Sequence, residues 1–150
     1  MHDTLHTYMT LALEQARMAK KRGEIPVGAV VVCDNVVVAT AHNMTECDNN
    51  ALQHAEIIAL NQAMQKIGEK RLVDCDIYVT MEPCTMCAGA IAHARVRALI
   101  FGCYDPKGGG IEHGARVFYR PTIHHKPSII GGVMEQACGD VVRHFFMEKR

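Results

Sequence analysis

Two short segments of the sequence together offer three metal ligands and one free carboxylate. The first is His54-Ala55-Glu56, and the second is Pro83-Cys84-Thr85-Met86-Cys87. Zinc favours nitrogen and sulfur ligands, and a catalytic zinc site holds three protein ligands and leaves a fourth position for water. His54, Cys84 and Cys87 can fill the three protein positions. Glu56 lies two residues from the histidine, so it can reach the bound water without ligating the metal. The pattern therefore predicts one zinc ion per chain with a general acid/base beside it.

The two segments are each predicted to lie at the start of a helix. A helix start exposes unpaired N–H groups and partial positive charge, and such a position lowers the pKa of a cysteine thiol. Cys84 and Cys87 are three residues apart, so both side chains share one helical face. The N–H groups of Ala55 and Cys84 are candidate donors near the reacting centre. Two helix starts that converge on one metal would leave one side of it open.

Each half of the pattern also has a simpler interpretation. A C-x-x-C pair occurs in structural zinc half-sites and in redox pairs, and an H-x-E on a helix usually has no function. A structural zinc site closes with a fourth Cys or His, which His93, His113, His124 or His125 could supply. The two halves together, each at a helix start, favour the catalytic interpretation but leave the structural one open.

Composition indicates one globular domain over residues 1–150. Of the 150 residues, 49% are hydrophobic, and there is no Trp. This composition excludes a disordered chain and predicts an aliphatic core. The amino terminus lacks the basic and apolar regions of a secretory signal, and the apolar stretch Val27–Cys33 is too short to span a membrane. The seven cysteines are odd in number and irregularly spaced, which predicts a reducing cytoplasm, with Cys33 as a small core hydrophobe.

The formal net charge is zero, so composition alone does not indicate a nucleic-acid binder. Basic residues could nevertheless form one face, or they could be separately solvated surface charges. These residues are Lys20, Lys21, Arg22, Arg95, Arg97, Lys107, Arg116, Arg120, Lys126, Arg143, Lys149 and Arg150.

Hydrophobic periodicity predicts helices on both faces of a mixed sheet. A hairpin with its turn at Asp34-Asn35 comes first, and strands then alternate with helices. Gly108–Gly110 is predicted to be a flexible loop. The predicted helices are Leu5–Lys20, His54–Ile67, one that starts at Pro83, and Met134–Glu148. The predicted strands are Val27–Cys33, Val36–Ala41, Asp76–Met81, Arg97–Gly102 and a short fifth one within Pro121–Gly132.

Besides the metal pattern, several segments along the whole chain carry a resemblance to known proteins. They are Glu24–Val30, Ala41–Asn43, His54–Ile57, Tyr78–Ala90, Phe101-Gly102, Asp105–Lys107 and Phe145–Arg150. These segments resemble the bacterial tRNA adenosine deaminases, which are zinc-dependent members of the cytidine deaminase superfamily. The resemblance implies a cytidine-deaminase-like, three-layer α/β/α fold with a mixed five-stranded sheet. It also implies a homodimer that converts the wobble adenosine of a tRNA anticodon stem-loop to inosine. Glu56 would then move protons between the attacking water, the base and the leaving ammonia.

The resemblance also assigns roles to residues outside the metal pattern. Asn43 would contact the target nucleoside, although it could equally be a turn residue after a strand. Phe146 would lie beside the splayed bases, although Phe145 or Phe146 could instead belong to the core. Adjacent helical residues point about 100° apart, so at most one of the two is expected to be fully buried. Pro26, Val27, Ala55 and Pro83 would line the nucleoside pocket, Asp105 and Lys107 would lie in an RNA-binding loop, and Lys107, Lys149 and Arg150 would hold phosphates.

Two other functions remain open from the sequence. One is deamination of a free base or nucleoside of the guanine or cytosine type on the same scaffold, where the carboxy-terminal helix would cover a closed pocket. The other is a non-catalytic zinc module in which Glu56 is incidental.

Overall fold

The β-branched segments of the sequence form the strands of one mixed sheet. A computed structural model describes residues 2–149. The strand order is β2-β1-β3-β4-β5. β1 is antiparallel to β2 and to β3, whereas β3, β4 and β5 are parallel. The predicted mixed five-stranded sheet is therefore confirmed. The strands are β1 (Gly28–Cys33), β2 (Val36–His42), β3 (Cys75–Met81), β4 (Ala98–Cys103) and β5 (Ser128–Ile130).

Four helices cover the two faces of this sheet. They are α1 (His2–Lys21), α2 (Ala55–Ile67), α3 (Thr85–Ala94) and α4 (Glu135–Glu148). Successive strand residues point to opposite faces, so β1 supplies both cores. Val30 and Val32 pack with residues of α1 and α4, whereas Ala29 and Val31 pack with residues of α2 and α3. This arrangement confirms the three-layer α/β/α fold.

The directions of the strands bring the segment before β1 and the segments after β3 and β4 to the same end of the sheet. Because β1 and β3 are antiparallel, the first residues of β1 pair near the end of β3, with Ala29 opposite Val79. β4 runs parallel to β3 and ends beside it, with Cys103 opposite Met81. The residues that precede β1 therefore meet those that follow β3 and β4. Within residues 2–149, no helix combines the length and apolar character needed to cross a bilayer.

The start of the third helix differs from the prediction. Cys84 is the N-cap and the helix begins at Thr85, so the prediction that Pro83 opens the helix is wrong. The carbonyl of Pro83 instead accepts a hydrogen bond from the N–H of Gly110 at 2.8 Å. A loop far along the chain thus holds the segment that leads into α3.

Two glycines of the predicted Gly108–Gly110 loop pack more tightly than the sequence indicated. Gly109 and Gly110 are buried. A Cβ at Gly110 would lie 2.7 Å from the backbone nitrogen of Thr85, and a Cβ at Gly109 would collide with the carboxylate of Glu82. These glycines therefore allow a close approach of the loop to the start of α3 and to the side chain of Glu82.

Cys33 is not the free core residue that the sequence predicted. Cys33 and Cys75 are direct partners in the antiparallel β1–β3 pair, and the structure joins them in a disulfide. The bond lies at the end of β1 and the start of β3, which is the edge of the sheet opposite the metal-ligand segments. Sequence spacing did not indicate it, because the two cysteines are 42 residues apart.

Candidate metal centre and active site

The histidine of the first segment is placed by the start of α2. His54 is the N-cap, with extended backbone angles (φ −73°, ψ 151°), and its side chain does not cap the helix. Its carbonyl accepts the N–H of Ile58 at 3.1 Å, so the backbone starts the helix while the imidazole stays available. Gly68 ends this helix in a left-handed conformation, φ 71°, as the sequence predicted.

The two cysteines are placed in the same way by the start of α3. Cys84 is the N-cap and Cys87 is the third residue of the helix. Their sulfur atoms each lie 3.6 Å from Nδ1 of His54, and the three ligand atoms all lie within 4.8 Å of one another. Nitrogen and sulfur ligands of a tetrahedral zinc ion lie roughly 3.5 Å apart. The three side chains therefore form a group that could hold a metal ion, and their donor set fits zinc.

The electrostatics of the group prepare one of its three members, Cys84, for metal ligation. The hydrogen bond from Cys87 lowers the pKa of Cys84 to about 4, and the same contact raises the pKa of Cys87. The hydrogen bond with Cys84 raises the pKa of His54. The lowered pKa of Cys84 favours its thiolate, the form that binds metal. The raised pKa values of Cys87 and His54 mean that these two side chains lose a proton when a metal binds.

None of the four histidines that could have closed a structural site joins this group. Within the described part of the chain, the only cluster of metal-ligand type consists of His54, Cys84 and Cys87. The other histidines have different partners: His113 contacts Glu82, His125 contacts the carbonyl of Val96, and His93 and His124 contact each other.

Glu56 supplies the carboxylate that the sequence pattern predicted. It is the second residue of α2, is 4% exposed, and lines a pocket together with His54 and Cys84. Burial raises the pKa of Glu56 to about 7. Both protonation states of this side chain are therefore accessible near neutral pH, as proton transfer in both directions requires.

The pocket brings together most of the predicted substrate-binding residues. Val27, Asn43, Asp105, Lys107 and Phe146 all line it. Pro26, Ala55 and Pro83 are buried but are not among the residues that line it. Lys149, which was predicted to hold a phosphate, also lines it. The remaining lining residues outside the metal group and Glu56 were not predicted to contact substrate; they are Ile25, Thr45, Met81, Glu82 and Gly108.

Asn43 links two of the segments around the pocket. Its amide nitrogen donates to the carbonyl of Ile25 at 3.1 Å, and its amide oxygen accepts the N–H of Ala55 at 2.9 Å. The N–H of Ala55, which was a candidate donor to substrate, is therefore used within the protein. Asn43 can still offer a second amide hydrogen to a ligand.

The adjacent phenylalanines of α4 divide between core and pocket. Phe145 is 6% exposed, whereas Phe146 is 47% exposed and lines the pocket. Lys149 lies at the same wall, and Arg150 lies outside the described residues.

The other basic residues do not gather at the pocket. Arg97 forms an ion pair with Asp76, at 2.9 Å, near the opposite edge of the sheet. Lys20 pairs with Glu148 at 3.2 Å. Arg116 and Lys126 lie over the ring of Tyr119. Of the basic residues noted in the sequence that lie within residues 2–149, Lys107 and Lys149 are the two that line the pocket.

Two buried carboxylates near the pocket had no predicted role. Glu24, 1% exposed, accepts the N–H groups of Glu46 and Cys47 at 3.1 and 2.7 Å. Burial would raise the pKa of Glu24, but these hydrogen bonds outweigh it and lower the pKa below its usual value. Thr45 of the same loop lines the pocket, so Glu24 supports that wall.

Glu82 supports the opposite wall. It is 3% exposed, and its carboxylate accepts the N–H of Asp105 at 3.0 Å. Burial would raise the pKa of Glu82, but hydrogen bonds from the N–H of Asp105 and from His113 outweigh it and lower the pKa. The sequence signal is weak, because the partners of both carboxylates lie at least 21 residues away.

Comparisons with known proteins agree with this geometry. Residues 4–143 match the family described as MafB19-like deaminase. The tRNA-specific adenosine deaminase of Agrobacterium fabrum is 48% identical over 143 residues, which are 95% of this chain and 94% of the relative. The enzyme of the same name from Bacillus subtilis is 38% identical and covers 95% of this chain and 89% of its own.

Solved structures of deaminases have the same fold as this chain. A structure from a study of A-to-I editing by tRNA:A34 deaminases at the wobble position of transfer RNA has a TM-score of 0.89 and 46% identity. It covers 90% of this chain and 98% of its own. A structure of the guanine deaminase from Nitrosomonas europaea has a TM-score of 0.81 over 93% of this chain and 83% of its own, at 20% identity. This second likeness shows a shared fold.

Proposed function

The chain belongs to the family of the tRNA-specific adenosine deaminases, and we propose that it converts the wobble adenosine of a tRNA anticodon to inosine by hydrolytic deamination. The observation that carries the proposal is the pocket in which the buried, unligated Glu56 lies beside the His54, Cys84 and Cys87 group. The names of the close relatives support the choice of adenosine in tRNA as substrate.

One zinc ion per subunit is the proposed cofactor, held by His54, Cys84 and Cys87. When bound there, zinc supplies a Lewis acid that makes water a nucleophile at neutral pH. The donor set supports zinc over magnesium or calcium, which prefer oxygen ligands.

Glu56 is the proposed general acid/base. Its carboxylate accepts a proton from the attacking water and passes one to the ring nitrogen next to the reacting carbon. It then transfers a second proton from the added oxygen to the departing amine. The carbon–nitrogen bond breaks, the products are inosine and ammonia, and the carboxylate returns to its initial state. Burial of Glu56 supports this role, because bulk water cannot compete with the substrate for its protons.

The pocket walls are the proposed substrate contacts. The free amide hydrogen of Asn43 would bind the nucleoside, Val27 would pack against it, and Asp105 with Lys107 would meet the flanking RNA. Phe146 would stack on a neighbouring base. Pro26, Ala55 and Pro83 contribute by shaping the backbone behind the pocket.

The carboxy-terminal helix supports an RNA substrate over a free base. A free base needs a closed pocket, whereas Phe146 is 47% exposed at the pocket wall. An exposed aromatic ring beside a basic residue suits single-stranded nucleic acid, where bases stack and phosphates pair with cations. Lys149 supplies that cation.

We further propose that residues 1–150 act as one domain, that two copies form a homodimer, and that the enzyme works in the cytoplasm. The support for one domain is that both cores share the single sheet. The dimer follows from the resemblance to the tRNA adenosine deaminases, and sedimentation of the purified protein tests it. The compartment follows from the odd number and irregular spacing of the cysteines.

The decisive experiment compares substrates. The zinc-loaded protein is incubated with an anticodon stem-loop that carries adenosine at the wobble position, with the same stem-loop carrying guanosine there, and with free adenosine, guanine and cytosine. Inosine in the first RNA alone is the expected result. Efficient turnover of free guanine or cytosine, with no inosine in RNA, would instead favour the free-base enzyme. Bound zinc without turnover of any substrate would favour the non-catalytic module.

A further inference from the structure

Glu82 concentrates an unusual number of hydrogen bonds on one buried carboxylate. Oε1 accepts the N–H of Asp105 at 3.0 Å and contacts Nδ1 of His113 at 2.8 Å. Oε2 accepts the N–H groups of Ile111, Glu112 and His113 at 3.1, 3.0 and 3.2 Å. All five partners belong to the segment 105–113, so one side chain organises the whole loop.

The backbone of Glu82 is itself fixed by the sheet. Its N–H donates to the carbonyl of Cys103 at 2.8 Å, which continues the parallel pairing of β3 and β4 by one step. Cys84, the N-cap of α3, follows two residues later. The carboxylate therefore connects the loop 105–113 to the strand end that also positions the metal ligands.

Close packing strengthens the same connection. Gly109 lies against the Glu82 carboxylate and Gly110 against the backbone of Thr85. The N–H of Gly110 donates to the carbonyl of Pro83 at 2.8 Å. The loop thus rests directly on the first turn of α3.

The loop carries one wall of the pocket. Asp105, Lys107 and Gly108 all line it. The carboxylate of Asp105 accepts the N–H groups of Lys107 and Gly108 at 3.2 and 3.0 Å, so the position of Asp105 determines that of the other two. Glu82 accepts the N–H of Asp105, so it fixes the residue to which Lys107 and Gly108 are in turn hydrogen-bonded.

We propose that Glu82 is a positioning residue for the RNA substrate: it holds the loop 105–113 so that Asp105 and Lys107 meet the nucleotides beside the reacting base. The inference rests on the proposed function, because it concerns contacts to an RNA. Residues 82–87 would then have two tasks. Cys84 and Cys87 ligate the metal, whereas Glu82 holds the pocket wall that Asp105, Lys107 and Gly108 form. The task requires a carboxylate, because two acceptor oxygens face five donors and a glutamine would offer one oxygen and an NH₂ group.

The first test compares Glu82→Gln with Glu112→Gln. Glu112 lies in the same loop, but its carboxylate accepts from the hydroxyl of Tyr119 and is not among the pocket walls, so it is a matched control. We expect Glu82→Gln to raise KM for the anticodon stem-loop about tenfold, the effect of weakening a hydrogen bond to a charged group. We expect kcat to stay within about twofold, since Glu56 and the ligands are untouched. The control should keep both constants.

Two further measurements distinguish positioning from a general structural role. Zinc content by elemental analysis should remain stoichiometric in Glu82→Gln. Amide hydrogen exchange should accelerate at residues 105–113 and remain unchanged in α3. Loss of zinc, or accelerated exchange throughout α3, would mean that Glu82 maintains the metal centre and would overturn the inference.

His113 provides a milder variant in case Glu82→Gln does not fold. The side chain of His113 is 34% exposed, so its replacement is tolerable. His113→Ala removes one donor to Glu82 and should raise KM about threefold. His113→Asn places an amide nitrogen near the position of Nδ1 and should restore the wild-type KM. Equal KM values in His113→Ala, His113→Asn and wild type would contradict the inference.

The outcomes separate this inference from the proposed function. If the wild-type protein forms no inosine in any RNA, the proposed function fails, and the inference fails with it. If the wild type edits RNA and Glu82→Gln has the wild-type KM despite faster exchange in the loop, only the inference fails.

Discussion

Glu56 and the three side chains beside it are prepared for different tasks by their surroundings. The hydrogen bond from Cys87 lowers the pKa of Cys84 to about 4, which favours the thiolate that a metal needs. Burial raises the pKa of Glu56 to about 7, which allows it both to accept and to release a proton. A carboxylate with an ordinary pKa would accept a proton too weakly to act as an efficient base at neutral pH. Two side chains of one pocket thus have pKa values shifted in opposite directions: hydrogen bonding lowers that of Cys84, and burial raises that of Glu56.

Replacing Glu56 with Gln should remove catalysis and leave the metal in place. Gln has the same size but cannot accept and return a proton. Loss of a general acid/base costs about 10²- to 10⁴-fold in rate, and Glu56 handles more than one proton, so we expect the upper end or beyond. Single-turnover assays and zinc analysis measure the two quantities. Glu69→Gln, on the exposed turn after α2, is the control, and deamination by Glu56→Gln near the wild-type rate would exclude the proposed mechanism.

Replacing Cys87 with Ala should release the metal and destabilise the protein. The metal would join the starts of α2 and α3, so its binding free energy contributes to folding. Elemental analysis should show substoichiometric zinc, and the thermal midpoint should fall. Cys47→Ala, which removes an exposed thiol outside the metal group, should keep stoichiometric zinc. Stoichiometric zinc in Cys87→Ala would show that Cys87 is not a ligand.

At the scale of elements, the sequence predicted what depends on local periodicity and missed what depends on distant partners. The β-branched runs predicted the strands, and Gly68 predicted the end of α2, because these signals lie within the element. Pro83 suggested a helix start two residues too early, since its position depends on Gly110. The roles of Glu24 and Glu82 could not be predicted, because their partners are loop N–H groups that only the folded chain brings close. The Cys33–Cys75 bond was missed for the same reason.

The pH dependence of stability can test one such contact, the hydrogen bonds from the N–H groups of Glu46 and Cys47 to the Glu24 carboxylate. Glu24→Gln should lower the free energy of unfolding by about 1–3 kcal/mol at neutral pH, because N–H groups of the loop lose a charged acceptor. The pKa of Glu24 is lowered from its usual 4.5. Its ionised form therefore stabilises the fold above that value, and the contribution disappears as the pH falls through the folded-state pKa.

Urea unfolding between about pH 7 and pH 3 measures this difference. The gap between wild type and Glu24→Gln should be constant near neutrality and should close below about pH 4.5. Glu46→Gln, an exposed carboxylate in the same loop, should show a much smaller gap. A gap that widens towards acid pH would contradict the assignment.

At the scale of the whole molecule, the pocket and the disulfide lie at opposite ends of the two central strands β1 and β3. The pocket lies where β1 begins and β3 ends, and the Cys33–Cys75 disulfide joins the other ends of the same two strands. Disulfides are rare in the cytoplasm, so formation of this bond in the cell would argue against the proposed cytoplasmic compartment. Its distance from the pocket also means that stability and catalysis should respond to it separately.

Reduction of the disulfide should therefore destabilise the protein without stopping catalysis. Closure of a 42-residue separation stabilises a fold by about 2–4 kcal/mol. Protein unfolded without reductant should expose five reactive thiols and, with reductant, all seven. The urea midpoint should fall on reduction while kcat is kept. Cys33→Ala should already have the lower midpoint and be insensitive to reductant, and seven thiols without reductant would show that the bond does not form.

The placement of α4 against the pocket leads to a prediction about the substrate as a whole. A base in a folded anticodon must leave its stack to reach Glu56, which costs a few kcal/mol. Stacking of a neighbouring base on an aromatic ring recovers about 1–3 kcal/mol, and Phe146 is the exposed ring at the pocket wall. Phe146→Ala should therefore raise KM for the stem-loop roughly 5- to 150-fold. Met147→Ala removes an apolar side chain that is 67% exposed and is not among the pocket walls, so KM should not change. Equal effects of the two substitutions would mean that α4 contributes only through its stability, and the base would have to stack elsewhere.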